Sequence, residues 1–442
     1  MVRGETGMTR TFFKYISLNM LGALGLSGYI MADTFFVANR LGADGLAALN
    51  LAIPIFGLVN GLGILLGIGG ATRYSICRYQ EDPERANRTF TLALLTGLIL
   101  GLALSLLGAF GAQPIARLLG SNADTLPLCT VYLRTVLLFS PCFLLNHVMV
   151  CFVRNDGNPK LAMTAMLTGS LANIALDYLF LYPLNMGIFG AALATGIAPV
   201  IGLCLSSLHS LTRRNQFHPA RPAAPGRSLA DLAGLGSAAF LNEFTSCMVL
   251  ALYNVLMLQA AGTTGVAAYG IVANLALMAL SLFTGLSQGA QPLISQAWGR
   301  GDRRQVRALC RLALLTALLV GLGLALTALF SATPLAALFN RDGDPVLEQI
   351  AVDGLRIYFL GFLFAGPNII TAAFLGAVEQ SRASFLLSLF RGGVGIGVIV
   401  ILLAWLFGMS GIWLAFPVTE ALTLLPGLRA VYRLLRAGPH PG

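Results

Sequence analysis

Hydrophobic and polar positions do not alternate along this chain; they arrive in blocks. Apolar runs of around 20 residues recur from end to end, each enough to cross about 30 Å of hydrocarbon. Short segments rich in Arg, Pro and Asp separate them. A bilayer offers the backbone no water, so long runs without a two-residue period predict helices rather than barrel strands. Twelve are predicted, over 13–38, 46–71, 89–111, 126–150, 161–183, 190–211, 235–260, 266–293, 309–331, 347–373, 384–407 and 411–432. The first follows only a short basic stretch and is too long for the apolar region of a signal peptide, so it reads as retained.

The pattern is written twice. LGADGLAALNLAIPI from Leu41 is matched by AGTTGVAAYGIVANL from Ala261. Gly42, Gly45, Ala47 and Ala48 fall on Gly262, Gly265, Ala267 and Ala268 without a gap. The same register carries Gly69 onto Gly289, Ser75 onto Ser295 and Asp82 onto Asp302. At an offset of 222, Leu133 and Arg134 fall on Leu355 and Arg356, and Asn146 on Asn368. Two similar halves in an apolar chain suggest a transporter with its site between them. The stretch TRRNQFHPARPAAPGRS within 212–232 is basic, rich in proline and without apolar period. It reads as a cytoplasmic linker between an N-lobe, 1–211, and a C-lobe, 233–442.

Composition agrees with lipid as the solvent: 57% of residues are hydrophobic and 10% charged, against roughly 25% charged in soluble domains. Charge also sets the expected orientation. With the N-terminus cytoplasmic, 22 of the 28 basic residues fall on inside segments, among them Arg213, Arg214, Arg227 and the cluster Arg300, Arg303, Arg304, Arg307. The outside loops hold Arg40, Arg117 and Arg341. That asymmetry predicts an even number of helices with both termini cytoplasmic, and two lobes that are parallel repeats. The net charge of +10 is therefore topology; the Arg are too dispersed for a nucleic-acid footprint. Seven Cys without a CxxC give neither a disulfide framework nor a zinc pattern.

The informative chemistry is the few acids inside the apolar runs, where a carboxylate is costly and usually faces a cavity. They are Asp33 in helix 1, Asp177 in helix 5, Glu243 in helix 7 and Glu420 in helix 12. Asn173 lies four residues before Asp177, so the two share a helix face. A carboxylate with an amide carbonyl supplies oxygen ligands for a hard cation, or a protonatable acid with a partner. Plainer readings stand beside these. Asp177 fits a helix-end acid at the outer interface, and Asp33 fits a local pair with Arg40. Asp353 fits an ion pair with Arg356, Arg391 fits a side chain snorkelling to the cytoplasm, and His147 fits a packed, neutral ring. Glu420 has no evident partner and is kept as part of a second acidic site with Glu243.

Nothing here reads as an enzyme. Gly285–Gly289 fits GxSxG, but a nucleophile elbow needs a strand-to-helix turn and this segment is helical. GLGILLGIGG at 61–70 lacks GxxxxGK[ST]. Without a nucleotide motif, uphill transport needs an ion gradient. No cofactor is expected beyond a coupling ion, H⁺ or Na⁺, and partners reduce to small organic substrates and membrane lipids, with the chain a monomer.

Several segments resemble the multidrug and toxic-compound extrusion (MATE) family. They are ADTFFVANRLGADGLAALNLAIPI (32–55), FVRNDGNPKLAM (152–163), NIALDYLFLYPLNMGIFGAALATG (173–196) and, in the second half, LNEFTSCMVLALYNVLMLQAAGTTGVAAYGI and GLSQGAQPLISQAWGRGD. The resemblance covers nearly the whole chain. It implies an all-α membrane protein, with twelve helices in two V-shaped six-helix lobes that rock between outward-open and inward-open states. It implies export of amphiphilic, often cationic compounds across a bacterial cytoplasmic membrane in exchange for H⁺ or Na⁺. It gives Asp33 as the helix 1 acid and Asn173, Asp177 and Thr195 as the N-lobe cation cluster, with Na⁺ at Asp33, Asn173 and Asp177 as one form of the coupling ion. Glu243 matches a helix 7 acid found in part of the family. The chain departs from the family in having no proline between residues 11 and 38, which leaves Gly22, Gly25 and Gly28 as the places where helix 1 can bend. A lipid-linked oligosaccharide flippase of the same superfamily is the alternative; such a cavity is expected to carry Arg or Lys for a pyrophosphate.

Overall fold

The structure is a computed structural model that describes residues 2–212, 215–221, 225–340 and 344–436. Arg213, Arg214 and Arg341 lie outside the described residues, as do the side chains of Arg227 and Cys247. Every regular element among the described residues is helical. Ten helices are long and apolar enough to cross a membrane, and a bent pair supplies an eleventh span. The last of these, Ser381–Arg436, is interrupted at Gly408 by a left-handed φ of 59°, which makes twelve.

In chain order they are α1 (Gly7–Gly42), α2 (Asp44–Tyr79), α3 (Pro83–Leu118), α4 (Thr125–Leu138 with Ser140–Asn155), α5 (Pro159–Leu181), α6 (Gly187–Leu211), α7 (Ser228–Gly262), α8 (Thr264–Gly299), α9 (Arg303–Ala337), α10 (Pro345–Ala377), α11 (381–407) and α12 (409–436). Several outrun the apolar spans because their polar ends are also helical and capped. Asp82 accepts from Arg85 N–H at 3.0 Å and Asp302 from Gln305 N–H at 2.9 Å. An acceptor at this position satisfies one of the free N–H groups of the first turn. Large apolar side chains cover the outer faces, as with Phe110 at 85% and Trp405 at 79% exposure, which is what helices facing lipid require.

The duplication seen in sequence recurs in the backbone. Gly42 and Gly262 adopt φ of 67° and 63°, and each turns one long helix into the next. A side chain there would strain the turn. The left-handed positions Glu81 and Gly301, Gly157 and Glu379, and Gly187 and Gly408 pair in the same way. α4 bends by 47° around Phe139 and Pro141. α10 passes through a 3₁₀ turn, Phe359–Gly361, at the corresponding place. A glycine from the neighbouring helix presses on each deformation. A Cβ on Gly101 of α3 would stand 2.5 Å from Pro141 Cα, and one on Gly321 of α9 would collide with the Phe362 carbonyl.

The chain divides into two compact units, Met1–Phe244 and Thr245–Gly442. The division falls within α7, later than the 212–232 linker. The first turns of α7 belong with the first unit because they lie backbone to backbone against α2. A Cβ on Gly236 would strike the Leu65 carbonyl, and one on Gly69 the Leu232 carbonyl. Arg73 pairs with Asp231 beside this contact at 2.7 Å.

The described part of the linker, 215–221, is no loose tether. Phe217 is 0% exposed and packs against Phe90, Tyr74, Phe152 and His209, with the Phe90 ring 4.5 Å away. Three backbone N–H groups are bound by side chains of the first unit: Gln216 by Asp156 (2.8 Å), His218 by Asn87 (2.9 Å) and Ala220 by Thr91 (2.8 Å). Asp156 also accepts from Tyr74 Oη at 2.6 Å and stands 2.9 Å from His209 Nε2.

Helix α1 runs unbroken to Gly42. Gly22 and Gly25 serve packing: a Cβ on Gly25 would stand 2.5 Å from Leu167 of α5, and one on Gly22 3.3 Å from Met166. Gly28 has no such neighbour.

Candidate functional site in the first half

The polar residues of the first unit meet between α1, α4, α5 and α6. Helix geometry explains their level. At about 1.5 Å per residue, Asn173 sits roughly 12 Å before the end of α5 at Leu181, and Thr195 roughly 12 Å after the start of α6 at Gly187. The tight turn between, with φ of 47° at Asn185 and 61° at Gly187, folds α6 back along α5. Asn173 and Thr195 therefore come abreast. The Asn173 amide, oriented to satisfy its neighbours, donates to Asp177 Oδ2 at 3.0 Å and accepts from Thr195 N–H at 3.2 Å. The Thr195 hydroxyl donates to Ala191 O at 3.0 Å.

Asp177 is 0% and Asp33 7% exposed, and the two carboxyl groups are close enough to interact electrostatically. Among the described residues, neither acid is paired with a Lys, Arg or His, and one oxygen of each, Oδ1, is buried without a hydrogen-bond partner. Buried polar atoms seldom go unmatched, and those that do call for an explanation such as an ion or a proton. The plainer reading of Asp33 fails on geometry. Arg40 is turned away to the α5–α6 turn, where it donates to Leu181 O at 3.2 Å and Asn185 Oδ1 at 3.0 Å. Asp177, one turn before the end of α5, is fully enclosed by protein.

Two tyrosines complete the cluster and were not singled out from sequence. Tyr132 of α4 hydrogen-bonds with Thr195 and lies in the field of Asp33 and Asp177. Tyr29 of α1 lies near Asp33, Asp177 and Glu243. Glu243, half-buried on α7, thus reaches the edge of the same polar group. A lone Tyr in an apolar run is ordinary core or interface material, so only the folded arrangement marks these two.

Glu420 is elsewhere, inside the second unit, and the expectation that it lacks a partner is corrected. Arg391 Nε donates to its Oε1 at 2.7 Å, and Asn368 Nδ2 to its Oε2 at 2.7 Å. Arg391 correspondingly does not snorkel; it is buried at 8% exposure. It lies on a different helix, 29 residues from Glu420, beyond the reach of any local pattern. Asp353 accepts from Gln349 Nε2 at 3.0 Å instead of pairing with Arg356. His147 hydrogen-bonds with Asn60 Oδ1 at 3.1 Å.

A twice-written bundle of membrane-spanning helices with acids buried inside it defines a membrane transporter. The chain belongs to the MatE family, whose model matches residues 20–179 and 238–407. It is 26% identical over 424 residues to a protein of Staphylococcus saprophyticus named multidrug export protein MepA, covering 94% of this chain and 91% of that protein. The MepA protein of Staphylococcus aureus is 25% identical over the same share. In structure, the chain is similar to one described as the outward-facing conformation of a multidrug resistance MATE family transporter of the MOP superfamily. The TM-score is 0.90 at 21% identity, with 97% of each chain covered.

Proposed function

We propose that this chain is a secondary active antiporter that exports amphiphilic, often cationic organic compounds from bacteria in exchange for H⁺ or Na⁺. One observation carries the reading: Asp33 and Asp177 share a buried space with no basic partner among the described residues, each keeping an unsatisfied oxygen. Two like charges at close range and low dielectric repel, and a proton, or a Na⁺ taken by Asp33, Asp177 and Asn173, removes that repulsion. The ion thereby favours whichever arrangement of the helices brings the acids together. A ligand drives such a change only through different affinity for the two states. A cationic substrate bound in the alternative arrangement supplies the opposite bias, and alternation between the two is the export cycle. The relatives named as multidrug export proteins support the substrate class. The distribution of Arg along the chain supports cytoplasmic termini in a bacterial inner membrane.

The test is efflux from proteoliposomes at clamped membrane potential, with Na⁺ and pH gradients imposed separately. Wild-type protein is expected to respond to one gradient. Asp177→Asn is expected to lose gradient-driven efflux while keeping its yield in the membrane and its melting temperature. Undiminished gradient-driven efflux by that variant overturns the assignment.

A further inference from the structure

Among the described residues the second half holds one fully enclosed carboxylate, Glu420, in surroundings opposite to those of the first-half acids. Both of its oxygens are committed, one to Arg391 and one to Asn368, and the same Asn368 amide also donates to the Glu420 carbonyl at 2.7 Å. Arg391 lies in a short π-helical stretch, Phe390–Val394, that interrupts α11. Such an insertion changes the direction of the side chains that follow it and is frequent at functional sites.

The internal repeat does not carry this pair in both halves. At the offset of 222 that joins Asn146 to Asn368, the counterpart of Arg391 is Gly169. In the register that joins Gly187 to Gly408, the counterpart of Glu420 is Pro199. Conversely, the first-half pair Asn173 and Asp177 has Gly395 and Ile399 as its counterparts. The halves therefore place their buried charge at different positions. In the first, two acids have no basic partner among the described residues; in the second, one acid is paired with a guanidinium.

We propose that Arg391 is a resident counter-ion that keeps Glu420 out of ion exchange. Coupling is then confined to the first half, and removal of the guanidinium converts Glu420 into a second site for H⁺ or Na⁺. The groups that face Glu420 are Arg391 from α11, and Asn368 and Tyr358 from α10. The amide that holds Glu420 also carries a buried oxygen without a hydrogen-bond partner, Asn368 Oδ1, and an amide oxygen beside a carboxylate is the kind of ligand a small hard cation takes. This inference rests on the antiport reading above.

A hydrophobic carbodiimide, which modifies protonated carboxyl groups in apolar surroundings, tests it without transport. The full chain in lipid nanodiscs is treated across pH 5–8, and the Glu420 peptide is followed by mass spectrometry in an Asp33→Asn/Asp177→Asn background. Glu420 is expected to stay unmodified with Arg391 present and to react at least tenfold faster in Arg391→Gln. Equal rates in the two proteins overturn the proposal. In proteoliposomes, with Asp33 and Asp177 intact, the reversal potential is expected to report one more ion per cycle for Arg391→Gln, and the wild-type number for Arg391→Gln/Glu420→Gln. A double variant that couples one ion fewer than wild type shows that Glu420 was exchanging all along and overturns it. If Arg391→Gln does not reach the membrane, modification of Glu420 with Arg391 in place and the double variant still decide. Failure of the first-half reading appears separately, as gradient-driven efflux that survives Asp177→Asn.

Discussion

Replacing Phe217 by Ala is expected to release the linker strap while leaving the rest of the first unit intact. The ring is wholly enclosed among Phe90, Phe152, Tyr74 and His209. Truncating a buried Phe costs about 3–5 kcal/mol, the transfer and cavity contributions together. Three backbone hydrogen bonds, to Asp156, Asn87 and Thr91, and one from Arg78 Nε to Gln216 Oε1 at 2.7 Å also hold the strap; each contributes about 1–3 kcal/mol, so the ring is the largest single anchor. At about 1.4 kcal/mol for each factor of ten, its loss raises the population of the detached strap by roughly 10²- to 4 × 10³-fold. Amide hydrogen exchange of a peptide spanning 215–221 reads this directly. The N–H groups of Gln216, His218 and Ala220 exchange only when the strap lifts, and protection reports the free energy of that opening. Asn87→Ala, which removes a single bond of about 1 kcal/mol, is expected to accelerate exchange by only about fivefold. Protection in Phe217→Ala within threefold of wild type would refute the anchoring role.

Three further outcomes are expected. Gly236→Ala places a methyl against the Leu65 backbone and is expected to cost about 1–3 kcal/mol; an unchanged melting temperature in detergent contradicts the close α2–α7 approach. Asn173→Ala removes the donor to Asp177 and the acceptor for Thr195 N–H. A hydrogen bond to a charged group contributes about 1.5–3 kcal/mol, so the concentration of driving ion needed for half-maximal efflux is expected to change by tenfold or more. Asp156→Ala strands Tyr74, His209 and Gln216 N–H without their acceptor and is expected to lower stability by about 3 kcal/mol or more; thermal unfolding measures it.

The helices were legible in the sequence because lipid imposes a long apolar run on each of them, and the repeat was legible because Gly42 and Gly262 are needed for the same turn. The acid cluster was legible in part: Asn173 and Asp177 share a face by simple periodicity. What stayed hidden depends on how helices are rotated against one another. Tyr132 meets Thr195 across helices, and Arg391 meets Glu420 across 29 residues. Asp156 and His209 are 53 residues apart, and nothing in either neighbourhood announces the other. The anchoring of the linker stayed hidden for a different reason. One aromatic in a polar, proline-rich stretch shows no period, yet a single enclosed ring is enough to pin it. The 47° bend in α4 was hidden because the apolar run continues straight through Pro141.

The glycines at 101 and 321 carry a consequence for motion. A crooked rod leaning on flexible side chains can straighten when they change rotamer. Here the crook in α4 is wedged by the main chain of α3, and the deformation in α10 by that of α9, and peptide groups have no rotamers to yield. Each pair must travel as one piece, like a bracket welded at its elbow, so any swing of α4 or α10 carries its partner along.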